Sequence, residues 1–277
     1  MLKVKTPEGY PPEEGRYARG NDYSPVAVCV ILDDFDYRIP ADLQELVMAG
    51  IDSGAALSGM LQTENVGTEK LICNIIANPN IRYIVLCGRE SPGHMPGQSL
   101  LCLKQNGVDE SMNIIGSTGP TPYLSNLPVD VVSRFREQIV IIVDMLCPPG
   151  EKNTESPGLN PKMVEQAVWS CYQEEPTEFM GYTLYDMGAY PHPPILHRIV
   201  SKLEAAHPEA QPGKFAMGMG LKLKKLLPNT NCKECGRRNC LAFAIDLAKG
   251  KSSVDECPIL FQHEYAGGRE ALKKLLE

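Results

Sequence analysis

Four of the ten cysteines stand in an order that suits metal or cluster chemistry. Cys232 and Cys235 form a Cys-x-x-Cys pair, Cys240 follows after four residues, and Cys257, next to Pro258, after sixteen more. Thiolates are soft donors, and a short loop can wrap three corners of one iron–sulfur cluster while a distant fourth cysteine closes the site. A structural zinc site also takes four thiolates, but usually as two close pairs, and only Cys232 and Cys235 make one here. A disulfide network is the third reading, and nothing in the chain marks it for an oxidising compartment. Lys233, Arg237 and Arg238 lie inside the ladder, as cations that offset cluster charge or dock a reductase, or as ordinary solvated charges. A second candidate is His94, in the stretch CGRESPGHMPGQ. A lone histidine on a loop is most often solvated, but the flanking Gly and Pro residues fix the loop and let a flat ligand approach its backbone.

These residues must be positioned by the elements around them. VAVCVIL, Val26 to Leu32, is a continuous apolar run of the kind buried on both faces of a parallel sheet. After it, Pro40 suits the first turn of a helix with Leu43, Leu46, Val47 and Ile51 at helical spacing. A second helix is predicted from Thr68 to Ala77, stopped by Asn78-Pro79-Asn80, and then a strand, IRYIVLC, ending at Gly88. A helix through Leu100, Leu101 and Leu103, a short strand from Met112 to Ile115, a helix over 131–138 and a strand IVIIVDML complete the unit. Alternating strands and helices predict an α/β fold: a Rossmann-like parallel sheet with helices on both faces, a helical linker region and a small C-terminal iron–sulfur module. The loops after Cys87 and after Ile115 fall at the carboxyl ends of strands, where such sheets bind ligands. Neither carries GxGxxG, so a nicotinamide cofactor has no support.

The domain reading is 1–147 as the α/β domain, 148–225 as a linker and helical region, and 226–277 as the cluster module. Residues 1–25 read as an irregular arm. In the middle region Asn160 should cap a helix beginning at Pro161, with Val164, Val168 and Trp169 on one side, and a further helix should run through Ile195, Ile199 and Leu203. A terminal amphipathic helix is expected over 269–276. The six cysteines outside the ladder, Cys29, Cys73, Cys87, Cys102, Cys147 and Cys171, read as small buried hydrophobes.

With 277 residues and a net charge of -7, from 34 acidic and 27 basic side chains, the chain can bury a core but disfavours a nucleic-acid partner. No signal peptide and no run approaching the ~20 apolar residues of a membrane span is visible, so a cytoplasmic, reducing setting is expected.

The cysteine stretch resembles the small iron–sulfur domain of the large subunit of corrinoid/iron–sulfur proteins. Cys232, Cys235, Gly236, Cys240, the run LAFAIDLAKG and Cys257-Pro258 carry the match, although here the module lies near the C-terminus. That resemblance implies a [4Fe-4S] cluster serving reductive reactivation of a corrinoid. Residues from about 20 to 147 resemble the corrinoid-carrying A subunit of the tetrahydromethanopterin S-methyltransferase complex. The matching segments are VAVCVIL, QTENVGTEKLICNIIANPNIRYIVLCG, GHMPGQSLLCLKQNGVD and IIGSTGPTPYLSNLP.

By that resemblance His94 is the catalytic residue, the lower axial ligand of the corrinoid (cobamide) cobalt. Thr63, Glu64, Asn65, Gly67, Gly88, Gly93, Gly97 and Gln98 would shape the pocket. Gly116, Ser117, Thr118 and Gly119 would offer backbone N–H and hydroxyl donors to the nucleotide tail. Two departures from the pattern matter. The family's membrane anchor has no counterpart after residue 147, so sodium-pump coupling is not expected to carry over. Pro92 also stands where the common Asp-x-His-x-x-Gly corrinoid motif has Asp, so His94 should be a weaker ligand unless Glu64 or Glu90 supplies the missing hydrogen bond. The implied function is a corrinoid/iron–sulfur methyl carrier, accepting and donating a methyl group on cobalt, with the cluster supplying electrons for reductive reactivation of cobalt(II). Its partners would be a methyltransferase with a methyl-tetrahydrofolate or methyl-tetrahydromethanopterin type donor and a low-potential electron donor or reductive activator. The alternative is an iron–sulfur electron-transfer protein whose N-terminal fold no longer binds corrinoid.

Overall fold

Successive side chains of a strand point to opposite faces, so a strand apolar throughout must be covered on both. In a computed structural model of the chain, described for residues 2–33, 39–199, 223–228, 230, 232–237, 240–248 and 252–276, this holds for VAVCVI. Ala27, Cys29 and Ile31 join one buried cluster, and Val26, Val28 and Val30 join another. The chain divides into two compact units, Met1–Ile199 and Val200–Glu277.

In the first unit the described elements are β1 (Tyr17–Arg19), β2 (Val26–Ile31), α1 (Ala41–Asp52), β3 (Leu57–Leu61), α2 (Val66–Ile76), β4 (Tyr83–Gly88), α3 (Pro96–Asn106), α4 (Val129–Gln138), β5 (Ile141–Asp144), α5 (Pro161–Cys171), β6 (Thr177–Phe179) and β7 (Tyr182–Leu184). Five strands form one sheet in the order β1-β3-β2-β4-β5. The last four are parallel, with Cys29 opposite Gly59 and Leu86 and Ile31 opposite Leu61 and Gly88, while β1 runs antiparallel at the edge. The α/β architecture is as predicted, with α2, α3 and α4 packed on one face and α1 and α5 on the other. The chain steps from β2 outward to β3, then crosses back over β2 to β4. The carboxyl ends of β2 and β4 are therefore the topological switch point, where ligands bind in sheets of this kind.

Several sequence expectations are corrected. Residues 57–61 form a central strand that the pattern did not reveal, and β1 lies within the segment read as an irregular arm. Residues 112–115 form no strand of the sheet; only isolated bridges pair Val108 with Ile114 and Asn113 with Tyr123. Asn160 caps α5 through the N–H of Lys162, as predicted, but the buried stripe is Val164, Ala167, Val168 and Cys171, and Trp169 is 58% exposed. Spacing of i, i+3, i+4 and i+7 excludes position 169 from that face. Residues 195–199 are not helical, and Leu203 lies outside the described residues. Between α5 and residue 195, β6 and β7 form an antiparallel pair. Of the six scattered cysteines, all are buried except Cys102, which is partly exposed.

The second unit contains α6 (Cys240–Ala248) and α7 (Ala266–Leu276), with short 3-10 turns between them. Its core comprises Leu223, Leu227, Cys240, Phe243, Leu247, Val254, Cys257, Leu260 and Leu272.

Candidate functional site

The carboxyl edge of the sheet gathers three segments: the β3–α2 loop, the β4–α3 loop and residues 116–121. Gly88, the last residue of β4, has φ +89°, and a Cβ there would lie 2.5 Å from the carbonyl oxygen of Ile31. Only glycine combines this backbone with so close an approach. Beyond it, Met95 adopts a left-handed conformation as the cap of α3 and supplies no side-chain hydrogen bond. The buried Glu90 carboxylate takes that role, accepting from the N–H groups of Ser91 (2.9 Å), Gly97 (3.3 Å) and Gln98 (2.7 Å). Its charge suits the helix N-terminus, and Glu90 is thereby committed to holding the His94 loop rather than the imidazole. Gly97 leaves the room this needs, since a Cβ would meet Leu146 at 2.5 Å and Glu90 at 3.0 Å.

The imidazole is met by Glu64. Nδ1 of His94 lies 2.8 Å from Oε2 of Glu64, whose other oxygen accepts from the N–H (3.0 Å) and hydroxyl (2.9 Å) of Thr121. Glu64 has no solvent exposure, and the His94 side chain is 29% exposed. Burial pushes the Glu64 carboxyl up. Hydrogen bonds from its own backbone N–H, from Thr121 and from His94 outweigh burial and hold it below the usual carboxylate range. An ionised carboxylate only accepts, so it fixes the proton on Nδ1, and in the neutral imidazole the lone pair is then on Nε2. A histidine oriented in this way is suited to metal ligation through Nε2.

The other candidate residues mostly build the frame of this pair. Thr63 accepts the N–H of Gly67 at 3.0 Å, and a Cβ on Gly67 would crowd the same hydroxyl at 2.8 Å. Asn65 caps α2 and donates to Thr121 Oγ1 at 2.9 Å. Gln98 donates to the Gly116 carbonyl (3.0 Å) and accepts from the N–H (3.0 Å) and hydroxyl of Thr118. Ser117 pairs with the buried Ser99 at 2.7 Å. The N–H groups of Ser117, Thr118 and Gly119 donate inside the protein, to Ile114, Gln98 and Ser117. This segment thus fastens onto α3. Gly119 abuts the histidine directly: a Cβ would stand 2.7 Å from the His94 carbonyl and 2.9 Å from Glu64 Cγ. Gly93, by contrast, faces open space. Thr121, which carries two of the Glu64 hydrogen bonds, was missed by sequence reasoning; its only signal was its place inside the matched segment IIGSTGPTPYLSNLP. A largely apolar cavity of about 310 Å³, floored by Ala27, Cys29, Leu57 and Ile84, has Thr63, Val66 and Gly67 among its lining residues, while His94 does not line it.

The cysteine ladder lies in the second unit. Gly236, at φ +73°, donates to the carbonyl of Lys233, itself left-handed, and this turns the chain between Cys232 and Cys235. Cys240 begins α6, and Cys257 follows a 3-10 turn whose Ser253 and Glu256 form a reciprocal cap. Cys235, Cys240 and Cys257 share one apolar cluster, and Cys232 is exposed. Burial raises the Cys257 thiol, and the nearby Cys235 and Cys232 raise it further. The N–H groups of Leu260 and Ile259 pull it back. Those two N–H donors favour the ionised sulfur that a ligand needs. Among the described residues no three His, Cys, Asp or Glu side chains converge to hold a single metal ion. Arg237 is not a simple solvated charge, being paired with Asp246 at 2.5 Å; Arg238, Lys249 and Gly250 lie outside the described residues.

A doubly wound α/β domain with a carboxylate-oriented histidine at its switch point belongs to the Rossmann-like class, in which that edge of the sheet is the usual place for ligands. Residues 3–157 of the 277 match the family model of MtrA, the tetrahydromethanopterin S-methyltransferase A subunit, and the chain belongs to that family. Methanothermobacter marburgensis has two forms of this A subunit. The chain is 43% identical to form 1 over 144 residues, covering 51% of this chain and 56% of that protein. It is 35% identical to form 2 over 208 residues, covering 75% of this chain and 95% of the relative. Against the A subunit of Methanocaldococcus jannaschii it is 38% identical over 168 residues, 61% of each chain. The chain thus spans about half the length of the first of these relatives. Residues 227–259 match a second family model, described as "Putative Fe-S cluster". Among the described residues no helix is long and apolar enough to cross a membrane.

Proposed function

We propose that this chain is a corrinoid/iron–sulfur methyl carrier in which His94 Nε2 is the lower axial ligand of the cobalt. The observation that carries the reading is the pairing of His94 Nδ1 with the buried Glu64 carboxylate at the switch point of the sheet. When bound, the corrinoid would supply a cobalt centre that accepts a methyl group and passes it on, and a [4Fe-4S] cluster would supply the low-potential electron that reduces inactive cobalt(II) back to cobalt(I). Glu64 keeps the Nδ1 proton in place and makes Nε2 a better donor, and Thr121 holds Glu64. Gln98 and the segment from Gly116 to Gly119 would wall the pocket, with Ser117 held by Ser99 and Thr118 by Gln98. Cys232, Cys235, Cys240 and Cys257 ligate the cluster. Family membership supports a methyltransferase partner with a methyl-tetrahydromethanopterin donor, and a methyl-tetrahydrofolate donor is the close variant. A low-potential reductant or reductive activator completes the set, and ten free cysteines suit a reducing cytoplasm.

The test is anaerobic reconstitution of the full chain with a cobamide, iron and sulfide, followed by visible spectroscopy and metal analysis. One cobalt per chain with iron and sulfide near four each is expected. A cluster band without corrinoid retention would leave only an electron-transfer protein, and zinc in place of iron and sulfide would leave a zinc-stabilised binding module.

A further inference from the structure

The cysteine ladder is discontinuous: one pair sits on a loop, Cys240 opens a helix and Cys257 closes a turn. Something must hold these pieces in register, and one side chain touches all of them. The Arg237 guanidinium donates through Nε to Asp246 Oδ2 (2.5 Å), on α6. Through its terminal nitrogens it donates to the Ser252 hydroxyl (2.6 Å) and the Cys235 carbonyl (3.4 Å), and it lies 3.6 Å from Glu256 Oε2. Glu256 in turn accepts the Ser253 N–H at 2.9 Å, closing the cap of the turn that ends at Cys257. A guanidinium is planar, always charged and equipped with five donors, so it can serve four acceptors at once; an ammonium cannot match that fork.

We propose that Arg237 is a positioning residue of the four-cysteine site, cross-bracing the Cys232–Cys235 loop, α6 and the Cys257 turn while balancing the carboxylates of Asp246 and Glu256. The inference rests on the cluster reading above. Two separable effects follow. The hydrogen-bond fork holds the ligands in place, so its loss speeds cluster release. The cation pairs with Asp246 and Glu256 while reaching the Cys235 carbonyl, so removing it takes a positive charge from beside that ligand segment and makes the cluster's reduction potential more negative.

The experiment compares full-chain wild type, Arg237→Gln, Arg237→Lys and Ser252→Ala after anaerobic loading with iron and sulfide. The readouts are iron release to a chelator, cluster reduction potential and the melting temperature of the unloaded protein. Arg237→Gln should release iron about 10-fold faster or more, the usual scale for outer-shell partners of metal ligands, and should shift the potential to a more negative value. Arg237→Lys should also release iron faster but keep the wild-type potential, since it keeps the charge. Ser252→Ala removes one arm of the fork and should fall between; it keeps the test decisive if Arg237→Gln does not fold. Wild-type release and potential in Arg237→Gln, or wild-type release in Ser252→Ala, overturn the assignment of Arg237 alone. A melting temperature that falls in step with release, with the potential unmoved, reduces Arg237 to a folding role and also overturns it. A wild-type chain that takes up no cluster overturns this proposal together with the cluster reading.

Discussion

The Nδ1 of His94 lies 2.8 Å from Oε2 of Glu64, a carboxylate with no solvent exposure that arrives from the loop after β3, thirty residues earlier in the chain. A histidine motif that lacks its own preceding acid, with Pro92 in that place, thus acquires one through the fold. Glu64→Gln keeps an acceptor of similar shape but removes the charge that strengthens the imidazole. Corrinoid retention, measured by equilibrium dialysis, should weaken by about 10- to 100-fold. Unchanged retention would mean that the pair is structural only.

Acid should expose the same carboxylate. Glu64, Asp22 and Asp42 are all held below their ordinary values: Glu64 by hydrogen bonds that outweigh burial, Asp22 foremost by Arg19, Asp42 by Arg89 against its own burial. A depressed folded-state value contributes stability that is complete above the unfolded value of about 4 and lost as pH falls through the folded one. Urea midpoints should therefore drop steeply below about pH 4 in the wild type. Glu64→Gln should begin about 1–3 kcal/mol less stable at neutral pH and decline less on acidification, so the two curves converge. Parallel curves would contradict the ionised assignment of Glu64.

Glycines flagged together by the sequence separate in the structure. A Cβ on Gly119 would stand 2.7 Å from the His94 carbonyl, whereas one on Gly93 would meet nothing within 4 Å. Gly119→Ala should cost about 1–3 kcal/mol by urea denaturation and weaken corrinoid retention. Gly93→Ala should stay within about 0.5 kcal/mol. Equal effects at the two positions would count against the close packing of residues 116–121 on the histidine loop.

Neighbouring residues on α5 make a similar contrast. Val168 is fully buried against the sheet and Trp169 is 58% exposed. Val168→Ala should cost about 1.5–2 kcal/mol for two lost methyl groups, and Trp169→Ala should stay within about 0.5 kcal/mol in thermal or urea unfolding.

These contrasts show what a linear pattern carries. β2 and β4 were legible because both their faces are buried and their residues are apolar without interruption. β3 was not, because Ser58 and Gly59 interrupt it. Gly59 is required there, since a Cβ would sit 2.3 Å from Cβ of Tyr17 on the neighbouring edge strand. Residues 112–115 mimic a strand because Ile114 is buried in the core, yet Ile115 beside it is 45% exposed and no ladder forms. At the site, His94 and Glu64 were both named from sequence, but that they touch is a consequence of strand order. Thr121 was out of reach because its bonds to Glu64 depend on where residues 116–121 meet the β3–α2 loop, and the capping role of Glu90 because it depends on how the β4–α3 loop turns back on itself.

The central claim is that His94 Nε2 binds cobalt, and the most direct test is electron paramagnetic resonance of the cobamide-loaded chain in its cobalt(II) form, in wild type and His94→Ala, with histidine labelled with nitrogen-15. The expected result is a nitrogen splitting that changes pattern with the label and disappears in His94→Ala. A splitting that ignores the label, or survives in the variant, would contradict it.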